Sequence, residues 1–307
     1  MFELVKPDIS IDFVGKARIY IIISLVAIII SLIVVLTKGF NVGIDFVGGT
    51  VVQVRFSESI ELERVRTAIS PAIPTDFVIQ NFGGVDSSEV LIRIAETSKL
   101  SLQDLSTRIT AQLSSQLSSH SPSIQKTEQV GPQAGSELRN KAFYAMLYAL
   151  VGILIYIAVR FQPLFGVCAV IALTHDVIIS LGAYSLSGKE LNITVMAAIL
   201  TVVGYSLNDT IVIFDRMREN MKLHANLSWK ELINSSLNET LSRTIVTSAL
   251  TFLAVLSLYL FGGEVINGFA FMMLVGILVG TYSSLCIAAI VVYLVKTRKR
   301  NEPATAK

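Results

Sequence analysis

Six stretches of this chain are too apolar to stay in water and too long for buried strands. A spanning helix needs about 20 mostly apolar residues. The runs at 17–37, 142–159, 164–186, 192–214 and 244–262, and one within 266–295, meet or approach that length. Lipid offers no partner to an unpaired backbone amide, so such runs can only be helices packed as a bundle. Of the 307 residues, 52% are hydrophobic and 16% charged, against about 25% charged in soluble domains. The chain therefore reads as an integral membrane α-helical bundle of six transmembrane helices. One span stands first; the other five follow a polar block at 38–140. The first run is too long for a signal-peptide core and has no small-residue cleavage site after it, so it reads as a retained span. Cys168 and Cys286 lie inside apolar runs and read as small core residues with no disulfide framework.

Orientation follows from Lys and Arg in the short loops. With the N-terminus inside, the cytoplasmic segments carry Lys16, Arg160, Arg216, Arg218, Lys222, Lys230 and the tail "KTRKR" (296–300); the opposite short loops carry Lys189. Both termini are expected in the cytoplasm and the polar block outside it. The expected organisation is a cytoplasmic segment 1–16, a first span 17–37, an extracytoplasmic domain 38–140, a five-helix bundle 141–295 and a basic tail 296–307. That tail reads as an inside anchor near anionic lipid, too short for nucleic-acid binding. Within the bundle, 216–242 reads as an amphipathic segment: Trp229, Leu232, Ile233, Leu237 and Leu241 recur at helical spacing. Its apolar face is expected to lie along the membrane interface, with contact to a partner subunit as the other reading.

The polar block changes periodicity. Val52, Val54 and Phe56 alternate on one face of a strand at 50–56; 77–82, 89–95 and 123–130 read as further strands. Helices are expected at 61–69 and 101–119, the second with Ser101 as N-cap and Asp104 at N3. The order βαββαβ points to an inserted α+β ferredoxin-like sandwich. It has no metal-ligand cluster and no nucleophile–base pair, and its His120 reads as solvated, so it is a binding or moving part and not an enzyme. Two glycine-rich joints flank it: "NVGIDFVGGT" with Gly43, Asp45, Gly48 and Gly49, and "VGPQAGSELR" with Gly131, Pro132 and Gly135. Ordinary turn chemistry explains them; so does a hinge or docking seat that couples the domain to the helices.

The fourth span carries polar side chains where lipid would reject them. Wound as a helix, Thr194, Thr201, Tyr205, Asn208, Asp209 and Asp215 share about a third of the circumference. An intramembrane carboxylate costs roughly 2.5–3.5 kcal/mol on insertion scales, so it needs a partner and a purpose. Arg243 begins the fifth span at a similar depth and is expected to pair with Asp209, with Thr247 and Thr251 on its face. In the third span Asp176 sits beside His175; either Asp176 is functional or His175 simply helps satisfy it. The threonines read as interhelical glue, and Asp215 as a solvated residue at a helix end. Asp209 reads as a proton carrier, because burial and a nearby arginine push its titration in opposite directions.

These residues carry a resemblance. "GIDFVGGT" (43–50), "VGPQAGSELR" (130–139), "HD" (175–176), "VGYSLNDTIVIFDRMREN" (203–220) and "NETLSRTIVTS" (238–248) resemble, in order and over nearly the whole chain, the signature segments of the SecF branch of the SecD/SecF family of bacterial protein translocases. The membrane part is also similar to half of a resistance–nodulation–division transporter. Those transporters carry paired aspartates where this chain has Asn208-Asp209, which implies that a partner supplies another titratable group. The resemblance implies a heterodimer with SecD, association with the SecYEG channel and a YidC-type insertase, and unfolded exported polypeptides as clients. It implies drive by the proton gradient, or sodium in some organisms, with no other cofactor. Asp209 matches the family's ion-carrying aspartate and Arg243 its arginine. Other classes remain open: a stand-alone solute exporter, which would need internal repeats and broken helices; a scaffold; and a membrane aspartyl protease built on Asp176 and Asp209, whose Tyr-Asp and Gly-x-Gly-Asp signatures the chain lacks.

Overall fold

Alternating apolar and polar residues make strands in the middle of this chain, and unbroken apolar runs make helices on either side. The computed structural model describes residues 10–73, 77–82, 88–94, 102–224 and 226–301. In chain order the elements are α1 (Ala17–Lys38), β1 (Asn41–Val42), α2 (Ile44–Val47), β2 (Gly49–Arg55), α3 (Leu62–Ile69), β3 (Phe77–Phe82), β4 (Glu89–Ile94), α4 (Leu102–Gln116), β5 (Ser123–Val130), α5 (Pro132–Arg160), α6 (Pro163–Ser187), β6 (Glu190–Leu191), α7 (Ile193–Leu223), α8 (Trp229–Phe261), α9 (Glu264–Ser283) and α10 (Ala289–Asn301). A buried π-turn, Ser284–Ala288, joins α9 to α10. The chain divides into two compact units. One holds the spans; the other is Val42–Ala145 with Glu190–Ile193.

Among the described residues, six helices are long and apolar enough to cross a membrane. They are α1 with its leading turn, α5, α6, α7, α8 and the continuous α9–α10 helix. This is a helical membrane protein. Its inner helices pack through small residues, as expected where lipid removes any hydrophobic drive for association. Ser24 and Ser31 are buried on α1 while its Ile and Leu side chains face outward. Ser31 meets Gly182 of α6 so closely that a Cβ there would stand 2.3 Å from the serine Cβ.

The segment 216–242 departs from the expected interfacial helix. The helix α7 runs on through Leu223, and α8 begins at Trp229 and continues into the span without a break. A capping box starts α8: the Ser228 hydroxyl accepts from the Glu231 amide, and Glu231 accepts from the Ser228 amide at 2.9 Å. The apolar face of Leu232, Ile233, Leu237 and Leu241 is buried in the chain's own core with Phe13, Val14, Phe214 and Met217. Each fully buried side chain there contributes about 1.5–3 kcal/mol. The apolar stripe was real, but protein covers it.

The second unit is a four-stranded sheet in the order β3-β4-β2-β5, antiparallel at every pairing. Val52 pairs with Ile92 and Val54 with Val90, and all four side chains are buried on one face. Against it lie Val65, Ala68 and Ile69 of α3 and Leu105, Ile109 and Leu113 of α4. A one-residue slip would put Gln53 and Arg55 into that core, which fixes the register. The helix at 101–119 ends earlier than expected, at Gln116, and a short 3-10 turn follows at Ser118–His120. Ser101 and most of the turn after Phe82 lie outside the described residues. Cys168 and Cys286 are free and buried.

Candidate ion-coupling site

The site begins with two glycines. Gly276 and Gly280 of α9 face Val202 and Ser206 of α7: a Cβ on Gly276 would sit 2.2 Å from Val202 Cγ2, and one on Gly280 3.0 Å from Ser206 Cβ. Only bare backbone permits so close an approach. It brings the hydroxyls of both helices within reach of the carboxylates, and the π-turn follows directly. Such turns recur at functional sites because they displace helical side chains from their regular positions.

Asp209 of α7 is buried. Its Oδ2 accepts from the Ser248 hydroxyl of α8 at 3.3 Å. Ser248 in turn accepts from Thr281 at 2.8 Å and from the Tyr205 phenol at 3.2 Å. One residue on, Thr210 meets Ser284 of the π-turn at 2.8 Å.

Asp176 of α6 is fully buried, at 0% exposure. Its Oδ1 lies 2.9 Å from His175 Nδ1. Its Oδ2 accepts from Ser283 at 2.7 Å and also from Ser206. The two acids thus share one hydroxyl-lined seam: Ser206 on Asp176 stands three residues before Asp209 on α7, and Thr281 and Ser283 both come from α9.

Arg243 makes no close ion pair with Asp209 among the described residues, but its charge acts on that carboxylate. Arg243 is exposed, with no carboxylate in ion-pair range among the described residues. Five residues separate it from Ser248, about 140° around α8, so the face that meets Asp209 presents Ser248 and Thr244 instead. Asn208 is also exposed, as are Thr194 and Thr201 on the same helix. Asp215 is not at a helix end; it pairs with Arg160 and lies 3.4 Å from Arg218. The hydroxyls of Ser206, Ser248, Thr281, Ser283 and Ser284 were not singled out from the sequence. The signal was present: a Thr-x-Ser-Ser run in the middle of a charge-free span. Among the described residues no group of three or more His, Cys, Asp or Glu could hold a metal.

The two glycine-rich joints meet each other in the second unit. Gly48 and Gly49 have φ of +80° and +127°, backbone that side chains rarely adopt. Gly135 of α5 approaches so closely that a Cβ on it would stand 3.0 Å from the Gly48 nitrogen, and its amide donates to Gly131 O at 2.8 Å. Pro132 is the first residue of α5, where a missing N–H costs nothing. The Gly43 amide donates to Leu191 O at 2.8 Å beside the β1–β6 pair. Asp45 Oδ2 accepts from the Ile193 amide at 3.1 Å and so caps the first turn of α7, the helix that carries Asp209. Arg93 of β4 and Glu190 form an ion pair beside it.

Fold and site together define a polytopic membrane protein with acids buried in a hydroxyl-lined helix seam. A family model for the protein export membrane protein SecD/SecF, C-terminal part, matches residues 109–298, and one for the SecD/SecF GG motif matches 33–60. The protein translocase subunit SecF of Calditerrivibrio nitroreducens is 53% identical over 97% of this chain and 98% of its own. That of Magnetococcus marinus is 44% identical over 95% and 94%. A crystal structure of SecDF from Thermus, described as a translocon-associated membrane protein, superposes with a TM-score of 0.85 at 39% identity. It matches 96% of this chain, which spans 40% of that longer one. The chain belongs to the SecD/SecF family, in its SecF branch.

Proposed function

We propose that this chain works as a SecF-type subunit of bacterial Sec protein export, paired with a SecD-type subunit, and that Asp209 carries the coupling proton. The burial of Asp209 beside Ser248 and Tyr205 carries the reading. An acid in that position is charged only at a cost, and hydroxyls can stabilise either of its protonation states. Each charge that moves through the field gains about 2.3 kcal/mol per 100 mV, which is the energy a conformational cycle would draw on.

The partner reading rests on what is left uncovered. Thr194, Thr201 and Asn208 on α7 and Arg243 on α8 are exposed on membrane helices. Polar groups there are costly against lipid, so this face suits a second subunit, and Arg243 would complete an ion site from it. SecYEG as the channel, unfolded polypeptides as clients and a YidC-type insertase as a further partner follow from the family. Both termini are assigned to the cytoplasm, and the α+β unit to the other side, by the distribution of Lys and Arg. We read that unit as a ferredoxin-like sandwich, supported by its βαββαβ order and the strand order β3-β4-β2-β5. Its joints, Gly43, Asp45, Gly48, Gly49, Gly131, Pro132 and Gly135, are assigned to coupling, because Asp45 grips the start of α7.

The test is precursor export into vesicles that hold this chain with its SecD-type partner and the channel, with and without an imposed proton gradient. Asp209→Asn should abolish the stimulation by the gradient while ATP-driven insertion persists. Full stimulation in that variant would overturn the reading, and stimulation by a sodium gradient alone would reassign the ion.

A further inference from the structure

The coupling seam uses one side of α6. On another side, against α5, lies an apolar groove with charge at its mouth.

A cavity of about 400 Å³ runs between α5 and α6, close to the loop that joins them. Leu154, Ala158, Phe161, Gly166, Val167 and Ile171 border it. Ala158 and Gly166 make the space, because neither carries a side chain large enough to fill it. A Cβ on Gly166 would stand 3.3 Å from Ile157 Cγ2, and Ile157 is buried, so the two helices touch at the back of the groove. The front is open: Leu154, Val167 and Ile171 are exposed. Packed proteins do not keep voids of this size, and in a bilayer the material at hand to fill one is hydrocarbon chain.

The mouth sets this groove apart from an ordinary lipid-facing surface. Phe161 is buried and forms one wall of the groove. It is also the base on which two guanidiniums rest, Arg160 at 5.3 Å and Arg218 at 6.0 Å from the ring centroid. Phe214 holds that ring edge-on at 6.0 Å. Asp215 pairs with Arg160 and lies 3.4 Å from Arg218, and Arg218 donates to Arg160 O at 3.4 Å. Among the described residues, two cations thus share one carboxylate, and one positive charge is left over. All three side chains are partly open to their surroundings. The start of α6 adds to the charge. Pro163 opens this 25-residue helix and no side chain caps it, so its dipole presents partial positive charge beside the same loop.

The geometry points to a site for one anionic phospholipid, with an acyl chain in the groove and the phosphate against Arg160 and Arg218. Neither part selects this ligand alone. An apolar groove accepts any chain, and exposed arginines accept any anion. A lipid that carries its charge directly above its chain meets both at once. Leu154 stands six residues before Arg160, about 9 Å along the helix, so groove and mouth are stacked in the order of chain and headgroup. A zwitterionic lipid fills the groove equally well but leaves the extra charge unmatched. Basic pockets between membrane helices select anionic headgroups in this way. The site does not depend on the coupling role proposed above.

Photocrosslinking tests it on the full chain, alone and with its SecD-type partner, in vesicles of equal phosphatidylglycerol and phosphatidylcholine. A benzophenone amino acid replaces Leu154, and mass spectrometry of the adduct identifies what occupies the groove. One unmatched charge should favour phosphatidylglycerol about fivefold. Arg160→Gln should bring the ratio of the two adducts to about one, and Asp215→Asn, which removes the competing carboxylate, should raise it about fivefold again. The second variant gains preference, which misfolding does not imitate. The same crosslinker in place of Leu250, exposed on α8, should respond to neither variant. Equal adducts of both lipids in the parent, a ratio indifferent to both variants, or the same response at Leu250 would overturn the assignment. An adduct to the partner subunit would also overturn it, because the groove would then be a contact between subunits.

Discussion

Replacing Gly276 with alanine should destabilise the helical unit, against the usual preference of helices. Alanine is favoured over glycine in a helix interior by about 1 kcal/mol. Here the new methyl would stand 2.2 Å from Val202 Cγ2 and 2.6 Å from Cγ1, well inside the roughly 3.5–4.0 Å of carbon contact. Val202 is buried and β-branched, so it has no free rotamer to retreat to. The helices must part by about 1 Å, and overpacking of this kind costs typically 1–3 kcal/mol. Set against the propensity gain, the net loss should be up to about 2 kcal/mol. Ser283 lies seven residues on, on nearly the same face, so its 2.7 Å bond to Asp176 loosens as well. Val202→Ala alone should cost about 1–2 kcal/mol in lost burial. The double variant removes the clash, so it should be more stable than the two single losses predict by about 1–3 kcal/mol. Reversible unfolding in bicelles, read for all four proteins, closes the cycle. An additive cycle would refute close helix approach as the basis of the site.

Two further outcomes are expected. Asp12 is bonded to the Lys230 ammonium at 2.8 Å, the Gly15 amide and Asn234, which hold its carboxyl at about 2, below the usual 3.8. A lowered carboxyl stabilises above its unfolded value, so this clasp should hold from neutral pH to about pH 4 and release as pH falls through about 2. Hydrogen exchange across 11–16, corrected for intrinsic rates, should show that transition in the parent and lose it in Asp12→Asn. Asp45→Ala removes the acceptor for the Ile193 amide and should cost about 1 kcal/mol locally, seen as faster exchange at the first turn of α7 with α4 unchanged.

The elements were legible where a period repeats. Leu105, Ile109 and Leu113 mark the buried face of α4, and Val52 and Val54 that of β2, because burial there follows from local geometry alone. Asp209 and Asp176 were legible because carboxylates are rare in spans. Their partners were not. Serine and threonine occur throughout membrane helices, and which hydroxyl meets which acid depends on how closely α7 and α9 approach. The Arg243 expectation found a charge that acts on Asp209, but spacing alone did not show that the contact falls short of a close ion pair. The 216–242 stripe showed that a face is covered, but its spacing is the same whether lipid or protein covers it.

The meeting of Gly48 with Gly135 has a consequence for where the chain enters and leaves the α+β unit. Gly48, just before β2, and Gly135, in the first turn of α5, lie against each other, so the chain enters and leaves the sandwich at neighbouring points within the second unit. An unrelated module with equally close ends could be spliced there without spreading the backbone that carries it.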